Sequence, residues 1–227
     1  MRKQTGFTLI EIAIVLVIIG LLLGGVLKGQ ELITSARVRN LISQQDGVKA
    51  AYFGFLDRFR ALPGDYTQAT INIAGVVAGS CPPGNGNGDG RITTANEEHT
   101  LAWEHLSKAG FINGSYTCGT TPAADNTPTN PYAVPIRLIW DNVYAGTGVT
   151  DRHNLKTGSQ LPSDILAEAD RKIDDGNAVG GVFRFSTYSP GGTGTNSIPA
   201  DCYDTTATTH QWKAAAPHAN CGATTLF

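Results

Sequence analysis

One carboxylate, Glu11, lies inside a run of otherwise apolar residues that extends from Phe7 to Leu27. A segment of about 20 apolar residues crosses the hydrocarbon core of a bilayer. An ionised side chain within such a segment costs at least ~2.5 kcal/mol, and it is functional by default and needs a partner. The chemistry that we expect of Glu11 is therefore the pairing of a carboxylate with a cation in an apolar environment.

The residues before the apolar run suggest where that cation comes from. Arg2 and Lys3 form a short basic stretch, which stays on the cytoplasmic side of the membrane. No small-residue cleavage site of the secretory type follows the apolar run, whereas Gly6 provides a small residue before it. Cleavage after Gly6 would create an α-amino group on Phe7, about 6 Å from Glu11 along a helix axis. Pairing between neighbouring subunits is geometrically easier than pairing within one helix.

The segment Gly6-Phe7-Thr8-Leu9-Ile10-Glu11 resembles the processing site of type IV pilins and type II secretion pseudopilins. The resemblance implies cleavage after Gly6 by a prepilin peptidase, which also methylates the amine of Phe7. It further implies that Glu11 guides assembly with copies of the chain or other pilins at an inner-membrane platform, and that the segment contacts lipid before assembly. The alternative interpretation is a plain membrane anchor that carries a stray acid.

A helical pattern continues beyond the apolar run. Apolar residues recur at spacings of three, four and seven on one face, as in an amphipathic helix: Leu41, Val48, Tyr52, Phe55, Phe59 and Leu62. Pro63 should stop the helix, because the residue before a proline avoids the α region. We therefore expect one helix from Phe7 to Leu62.

The resemblance implies an α+β, pilin-like fold, in which this long helix packs on a head with an antiparallel sheet. The expected organisation is a leader at 1–6, a membrane-spanning or filament-core half at 7–27, an amphipathic half at 28–62 and a head at 63–227. Within the head we expect a helix that starts after Asn96 and ends before Gly110, another from Ser163 to Ile173, and extended segments at 132–140 and 181–188.

All four cysteines lie in the head and none forms a C-x-x-C pair, which argues against a zinc ribbon or a thioredoxin-like site. In an oxidising compartment two disulfides are expected, and three connectivities exist. We favour Cys81–Cys118 with Cys202–Cys221, since sequential pairing closes two separate loop-rich regions. The second of these bridges resembles the C-terminal disulfide loop of many type IV pilins.

A glycine-rich stretch in the head predicts a calcium site. Asn85, Asn87 and Asp89 occupy positions 1, 3 and 5 of an EF-hand-like loop, and Gly90 occupies position 6. Position 12 is Asn96 instead of the usual glutamate, and Glu97 or Glu98 would complete the site. The other interpretation is a flexible loop rich in Asn and Gly. No cofactor other than this structural calcium is expected.

Composition and motifs exclude several classes of function. The formal net charge is −2, and without Arg2 and Lys3 the 15 basic and 19 acidic residues give −4 before the new amine is counted. Nucleic acid is not an expected partner, because its binding depends on phosphate neutralisation by Lys and Arg. A nucleophilic triad, a P-loop and a dinucleotide fingerprint are all absent from the sequence. We therefore expect no enzymatic activity.

The sequence predicts a structural subunit of a type IV pilus or of a type II secretion pseudopilus. Such a chain would start as a single-pass inner-membrane protein with its head in the periplasm and would end in a periplasmic or extracellular filament. The rival from another class is a monomeric, membrane-anchored periplasmic binding domain, with a ligand held by loops after Cys118 or Gly191.

Overall fold

The computed structural model describes residues 9–77, 81, 84–190 and 196–227. These residues form two compact units, one up to Arg37 and one from Val38 onward. The elements in chain order are helix α1 (Leu9–Phe59), helix α2 (Ala69–Asn72), a 3₁₀ turn (Ala95–Glu97), helix α3 (Glu98–Lys108), strand β1 (Arg137–Asp141), strand β2 (Arg152–Lys156), helix α4 (Ser163–Ile173), strand β3 (Phe183–Phe185), helix α5 (Pro199–Cys202) and strand β4 (Ala223–Leu226).

The four strands form one antiparallel sheet in the order β1-β2-β4-β3. The register places Leu138 opposite Leu155, and it places Leu155 and Phe183 on either side of Thr225. One long helix and a head with an antiparallel sheet confirm the predicted α+β class.

Helix α1 ends at Phe59, three residues before the expected end at Leu62. Arg60 takes a positive φ of 54°, a left-handed conformation that a helix cannot continue through. Pro63 therefore follows the stop instead of causing it. At the other end of the helix, Phe7 and Thr8 lie outside the described residues.

The buried face of α1 within the second unit follows the predicted stripe. Leu41, Val48, Tyr52 and Phe55 are all buried there, and Gln45 is a polar member of the same face. Leu41 packs in a cluster with Leu166, Phe183 and Trp212, and Phe55 packs in another with Trp103, Leu138 and Leu155. Burial against the sheet and the head helices thus fixes this half of the helix.

The head elements match the expectations in part. The extended segment at 181–188 contains the shorter strand β3, and the segment at 132–140 overlaps β1, which extends one residue further to Asp141. Strands β2 and β4 were not expected from the sequence. The helix expected after Asn96 starts at Glu98, because Asn96 and Glu97 both have positive φ angles, of 52° and 53°.

Candidate functional site

The apolar start of α1 is the first candidate site. Within the described residues, α1 is the one helix long and apolar enough to cross a membrane. Glu11 lies in its first turn and is exposed, whereas Gly6 and Phe7, the predicted processing residues, lie outside the described residues. Large apolar side chains are exposed along the same segment: Leu9, Ile10, Ile14, Leu16, Val17, Leu21, Leu22, Leu23, Val26, Leu27, Leu32 and Ile33. An apolar surface of this extent indicates contact with lipid or with neighbouring helices.

Four glycines in this segment leave space on the helix surface. A Cβ atom added at Gly20, Gly24, Gly25 or Gly29 would meet no heavy atom within 4 Å. Small residues allow two helix backbones to approach closely within a membrane. The segment therefore has the composition of a helix that associates with others.

The second candidate site is the glycine-rich loop of the head, which closes around Asp65. The Asp65 Oδ1 accepts hydrogen bonds from the N–H groups of Gly88 at 2.6 Å and Asp89 at 3.1 Å, and Oδ2 accepts one from Gly90 at 2.8 Å. Burial raises the pKa of Asp65, and the three N–H groups act against that rise. Successive backbone N–H groups of this kind form a concavity that receives an anion. Here the anion is a side chain of the protein itself.

Glu98 holds the same loop from the first turn of α3. Its Oε1 accepts a hydrogen bond from Asn87 N–H at 3.2 Å, and its Oε2 accepts bonds from the N–H and hydroxyl of Thr93. Glu98 is fully buried, and burial raises the pKa of its carboxyl group. Two carboxylates thus fasten residues 87–93 through backbone N–H groups.

The predicted calcium ligands are not gathered as an EF-hand would gather them. Asn85 faces Thr70, whose N–H donates to Asn85 Oδ1 at 2.9 Å, and Glu97 accepts a bond from Thr100 through its backbone carbonyl. Asn87 bonds to Asp89 through both its amide nitrogen and its oxygen.

Asp89 instead lies near Glu98, the alternative to Glu97 in the predicted site, and near Asp65, which the sequence did not indicate as a ligand. Asp65, Asp89 and Glu98 each offer a carboxylate oxygen within 4.8 Å of the others. The backbone amides of the loop point at Asp65, while the three carboxylates offer the oxygen ligands that calcium prefers. The calcium site stays a prediction.

Both predicted disulfides are confirmed: Cys81 is bonded to Cys118, and Cys202 to Cys221. The first connects the segment before the glycine-rich loop with the segment after α3. The second closes a loop of sequence separation 19 directly before β4. Because both sulfurs of Cys202 and Cys221 are in this bond, their proximity to His218 does not form a metal site.

Sequence reasoning missed a buried ion pair in the sheet. The side chain of Lys156 is 1% exposed, and its Nζ lies 2.9 Å from Asp141 Oδ1. The same Nζ donates a hydrogen bond of 3.0 Å to the Val143 carbonyl. Burial lowers the pKa of Lys156, and the Asp141 carboxylate acts against that shift. Asn154 donates to the same Asp141 oxygen at 3.0 Å. The partners lie in different strands, so no spacing along the chain signals the pair.

A further buried carboxyl group lies in α4. Asp170 is fully buried, and its Oδ2 accepts a hydrogen bond of 2.6 Å from Trp212 Nε1–H. Burial raises the pKa of Asp170 to about 7, and a hydrogen bond with Asp174 adds to that rise. Asp174 in turn accepts bonds from the N–H groups of Val182 and Phe183, which anchor the start of β3.

These features define the class of the protein, an α+β chain with a long apolar N-terminal helix and a disulfide-bonded head. Residues 1–27 match the prokaryotic N-terminal methylation motif, the leader of type IV prepilins and pseudopilins. The comparison with curated proteins and the comparison with solved structures find no match. The motif thus identifies the leader and the start of α1.

Proposed function

We propose that this chain is a structural subunit of a type IV pilus or of a type II secretion pseudopilus. The observation that carries the proposal is the methylation motif at residues 1–27, which runs directly into the exposed apolar segment of α1. In this organisation residues 1–6 are the leader and 7–27 the membrane-spanning and filament-core half of the helix. Residues 28–59 are its amphipathic half, and 63–227 are the head outside the inner membrane.

Processing follows from the motif. A prepilin peptidase cuts between Gly6 and Phe7 and methylates the new amine of Phe7. The basic leader is lost, and the apolar helix stays in the inner membrane as a single span. The product carries a cation at its first residue and a carboxylate at Glu11.

Assembly uses both charges. The Glu11 carboxylate of one subunit pairs with the terminal amine of a neighbour. The pairing reduces the energetic penalty of placing each charge in an apolar environment. The exposed apolar side chains of residues 9–33 are buried against neighbouring helices at the same step. Burial of the apolar side chains provides the affinity between subunits, and the charge pair fixes the axial position of one helix against the next.

The test is the intact mass and the N-terminal peptide of the protein from native membranes and from sheared filaments. We expect a chain that begins at N-methylated Phe7. Its presence in the sheared fraction supports an assembled pilus subunit, and its presence only in membranes supports a pseudopilin or a minor subunit.

An intact Met1 terminus would contradict the proposal and would favour the monomeric, membrane-anchored periplasmic binding domain. A matched control is a Gly6→Leu chain, which should keep its leader because a small residue is lost at the cleavage site. Chemical cross-linking in membranes separates the two functions further, since the rival predicts no oligomers.

A structural calcium ion in the glycine-rich loop stays a prediction, and assembly does not require it here. Among the predicted ligands, Asp89 forms a group with the carboxylates of Asp65 and Glu98. Melting of the full chain with calcium and with EGTA tests the prediction. A calcium-dependent rise in Tm that Asp89→Asn abolishes would support it, and equal Tm values would oppose it.

A further inference from the structure

Six Asn-Gly or Asp-Gly pairs occur in the chain, and each has a sequence that favours spontaneous rearrangement. In such a pair the backbone nitrogen of the glycine can attack the side-chain carbonyl carbon of the residue before it, and glycine has no side chain to obstruct the attack. The pairs begin at Asp46, Asn85, Asn87, Asp89, Asn113 and Asp175. The attack needs a glycine nitrogen that holds no hydrogen bond, so the fold decides which pairs react.

Three of the pairs lie in the glycine-rich loop, residues 84–92, where the glycine N–H of each pair is hydrogen-bonded. Gly86 N–H donates to the Tyr66 carbonyl at 3.0 Å. Gly88 N–H donates to Asp65 Oδ1 at 2.6 Å, and Gly90 N–H donates to Asp65 Oδ2 at 2.8 Å. A nitrogen that holds such a bond cannot turn toward the preceding side chain until the backbone opens locally.

The side chains of the two asparagines in this loop are held as well. Asn85 Oδ1 accepts a hydrogen bond from Thr70 N–H at 2.9 Å, and Asn85 Nδ2 donates to Thr70 Oγ1 at 3.1 Å. Asn87 Oδ1 accepts a hydrogen bond from Asp89 N–H at 2.8 Å. Rotation of either amide toward its glycine would break these bonds. Two separate restraints therefore act on each of these Asn-Gly pairs.

Outside this loop, one pair differs from the others. Gly47 lies inside α1, where its N–H belongs to the helical hydrogen-bond ladder, and Gly176 N–H donates to Asp170 Oδ1 at 3.3 Å. Gly114 N–H, by contrast, donates no hydrogen bond within the described part of the chain. The side-chain amide of Asn113 also has no hydrogen-bond partner among these residues, and both residues are exposed. Asn113-Gly114 is thus the pair that the fold leaves open.

We propose that Asn113 is a deamidation site of the folded chain, whereas Asn85 and Asn87 are protected. The Gly114 nitrogen forms a bond to Cγ of Asn113, the Cγ–Nδ2 bond breaks, and Nδ2 leaves as ammonia with the proton of the Gly114 N–H. Water then opens the cyclic imide at one of its two carbonyl carbons. One opening gives aspartate, and the other gives isoaspartate, in which the backbone runs through the former side chain. The net reaction consumes one water, releases one ammonia and involves no oxidation.

The modification changes the charge of a cleft beside α1. Asn113 lines this cleft together with three uncharged polar residues of the helix, Asn40, Ser43 and Gln44. A carboxylate with an ordinary pKa near ~4 is ionised at neutral pH, so each modified copy gains a negative charge there. Since the reaction is irreversible and consumes only water, the acidic fraction increases with the age of the folded chain. It requires neither membrane nor filament, so its absence would leave the proposed function unaffected.

The experiment compares the folded full chain in detergent micelles with the same chain unfolded in urea after reduction and alkylation of both disulfides. Both samples are incubated in mildly alkaline buffer and digested at mildly acidic pH, which suppresses further deamidation. Peptide mass spectrometry, with fragmentation that separates aspartate from isoaspartate, gives the rate at each asparagine. The unfolded sample provides the rate of each Asn-Gly pair without structure. Asn113→Gln is the matched variant, because its longer side chain does not readily form the imide.

In the folded chain, Asn113 should deamidate at least about 10-fold faster than Asn85 or Asn87, because these two react only through local opening. In the unfolded chain the three rates should lie within about 3-fold of one another, since a glycine follows each asparagine. Asn113→Gln should lose most of the acidic form that accumulates in isoelectric focusing of the folded chain.

Equal rates at the three asparagines of the folded chain would overturn the proposal. The same holds if Asn113 reacts in the unfolded chain but stays intact in the folded one, since the loop would then be protected by other means. An acidic form that accumulates undiminished in folded Asn113→Gln would also overturn it, because the modified residue would lie elsewhere.

Discussion

The side chains of Gln45 and Thr225 are joined by a hydrogen bond across 180 residues of sequence: Thr225 Oγ1 donates to Gln45 Oε1 at 2.8 Å. Both residues are buried, one on the inward face of α1 and the other on strand β4. The bond fixes the rotation of the helix against the sheet, because a polar side chain on that face has few places to find a partner.

We expect this bond to give a measurable coupling free energy. Thr225→Val should lower the free energy of unfolding by about 1–2 kcal/mol, because it leaves the Gln45 oxygen buried without a donor. Gln45→Met/Thr225→Val should cost less than the sum of the single changes, by about 1 kcal/mol. Denaturant unfolding with intact disulfides measures all three values. Gln68→Met, at an exposed position, is the control, and strict additivity would contradict the expectation.

The ion pair between Lys156 and Asp141 should respond unequally to loss of either partner. Asp141→Asn leaves a cation that is 1% exposed without its counter-charge, which should cost about 3–5 kcal/mol. Lys156→Met should cost clearly less, since Asp141 keeps hydrogen bonds from Val143 N–H and Asn154. The measurement is again the free energy of unfolding.

A surface pair provides the control for that comparison. Lys172 Nζ lies 2.6 Å from Glu168 Oε1, and the two side chains are 43% and 38% exposed. Lys172→Met should change stability by less than about 0.5 kcal/mol. Equal losses for Asp141→Asn and Lys156→Met would show that burial of the lysine does not govern the energetics.

Asp170 should make stability fall as the pH rises. Its pKa is raised to about 7 in the folded chain, against about 4 in the unfolded chain, so the folded state binds more protons between these values. The stability that protonated Asp170 contributes is present below about pH 4 and is lost by about pH 7. Asp170→Asn keeps an acceptor for Trp212 without the charge. The difference between its free energy of unfolding and that of the native chain should therefore increase in favour of the variant by about 2–4 kcal/mol from about pH 4.5 to about pH 8. Melting at a series of pH values tests this, and a pH-independent difference would contradict it.

Glu11 should matter for assembly and not for insertion. Glu11→Gln should leave the amount of membrane-inserted chain unchanged and reduce its incorporation into sheared filaments by at least about 10-fold, because the terminal amine of the neighbour loses its counter-charge. Glu31→Gln is the matched control on the same helix, since Glu31 pairs with Lys28 at 2.7 Å on an exposed face. Normal incorporation of the Glu11 variant would count against the pairing role.

Periodic and covalent features could be predicted from the sequence. The stripe from Leu41 to Phe55 repeats at helical spacing, so the buried face of α1 follows from the residues themselves. The position of the four cysteines in two separate regions favours, among three connectivities, the sequential pairing that the structure shows. The methylation motif needs only consecutive residues, which is why it identifies the leader without any structure.

Short polar strands and long-range polar contacts could not be predicted in the same way. Strand β2 contains the buried polar residues Asn154 and Lys156, whose side chains bond to Thr224 on β4 and to Asp141 on β1. Nothing local to the sequence shows those partners, since tertiary context decides β-strand formation.

The glycine-rich loop shows how a pattern can carry two explanations. Alternating glycines and polar residues from Gly84 to Gly90 predict a calcium loop, yet they also allow a backbone to lie directly on another chain segment. At Gly86 the close approach of the two backbones explains the glycine, because any side chain there would overlap Asp65. The signal that could have indicated Asp65 is a carboxylate shortly after the end of α1, together with the glycines at every second position from Gly84 to Gly90 further along the chain.

The position of β4 inside the sheet has a consequence for the order of biosynthetic events. This strand comes after every other described strand in the chain, yet it lies between β2 and β3 and joins them. The sheet therefore stays in two separate parts until residues 223–226 have been synthesised. A chain interrupted before these residues would lack the strand that joins β2 to β3, and its unpaired strands would remain open to proteolysis.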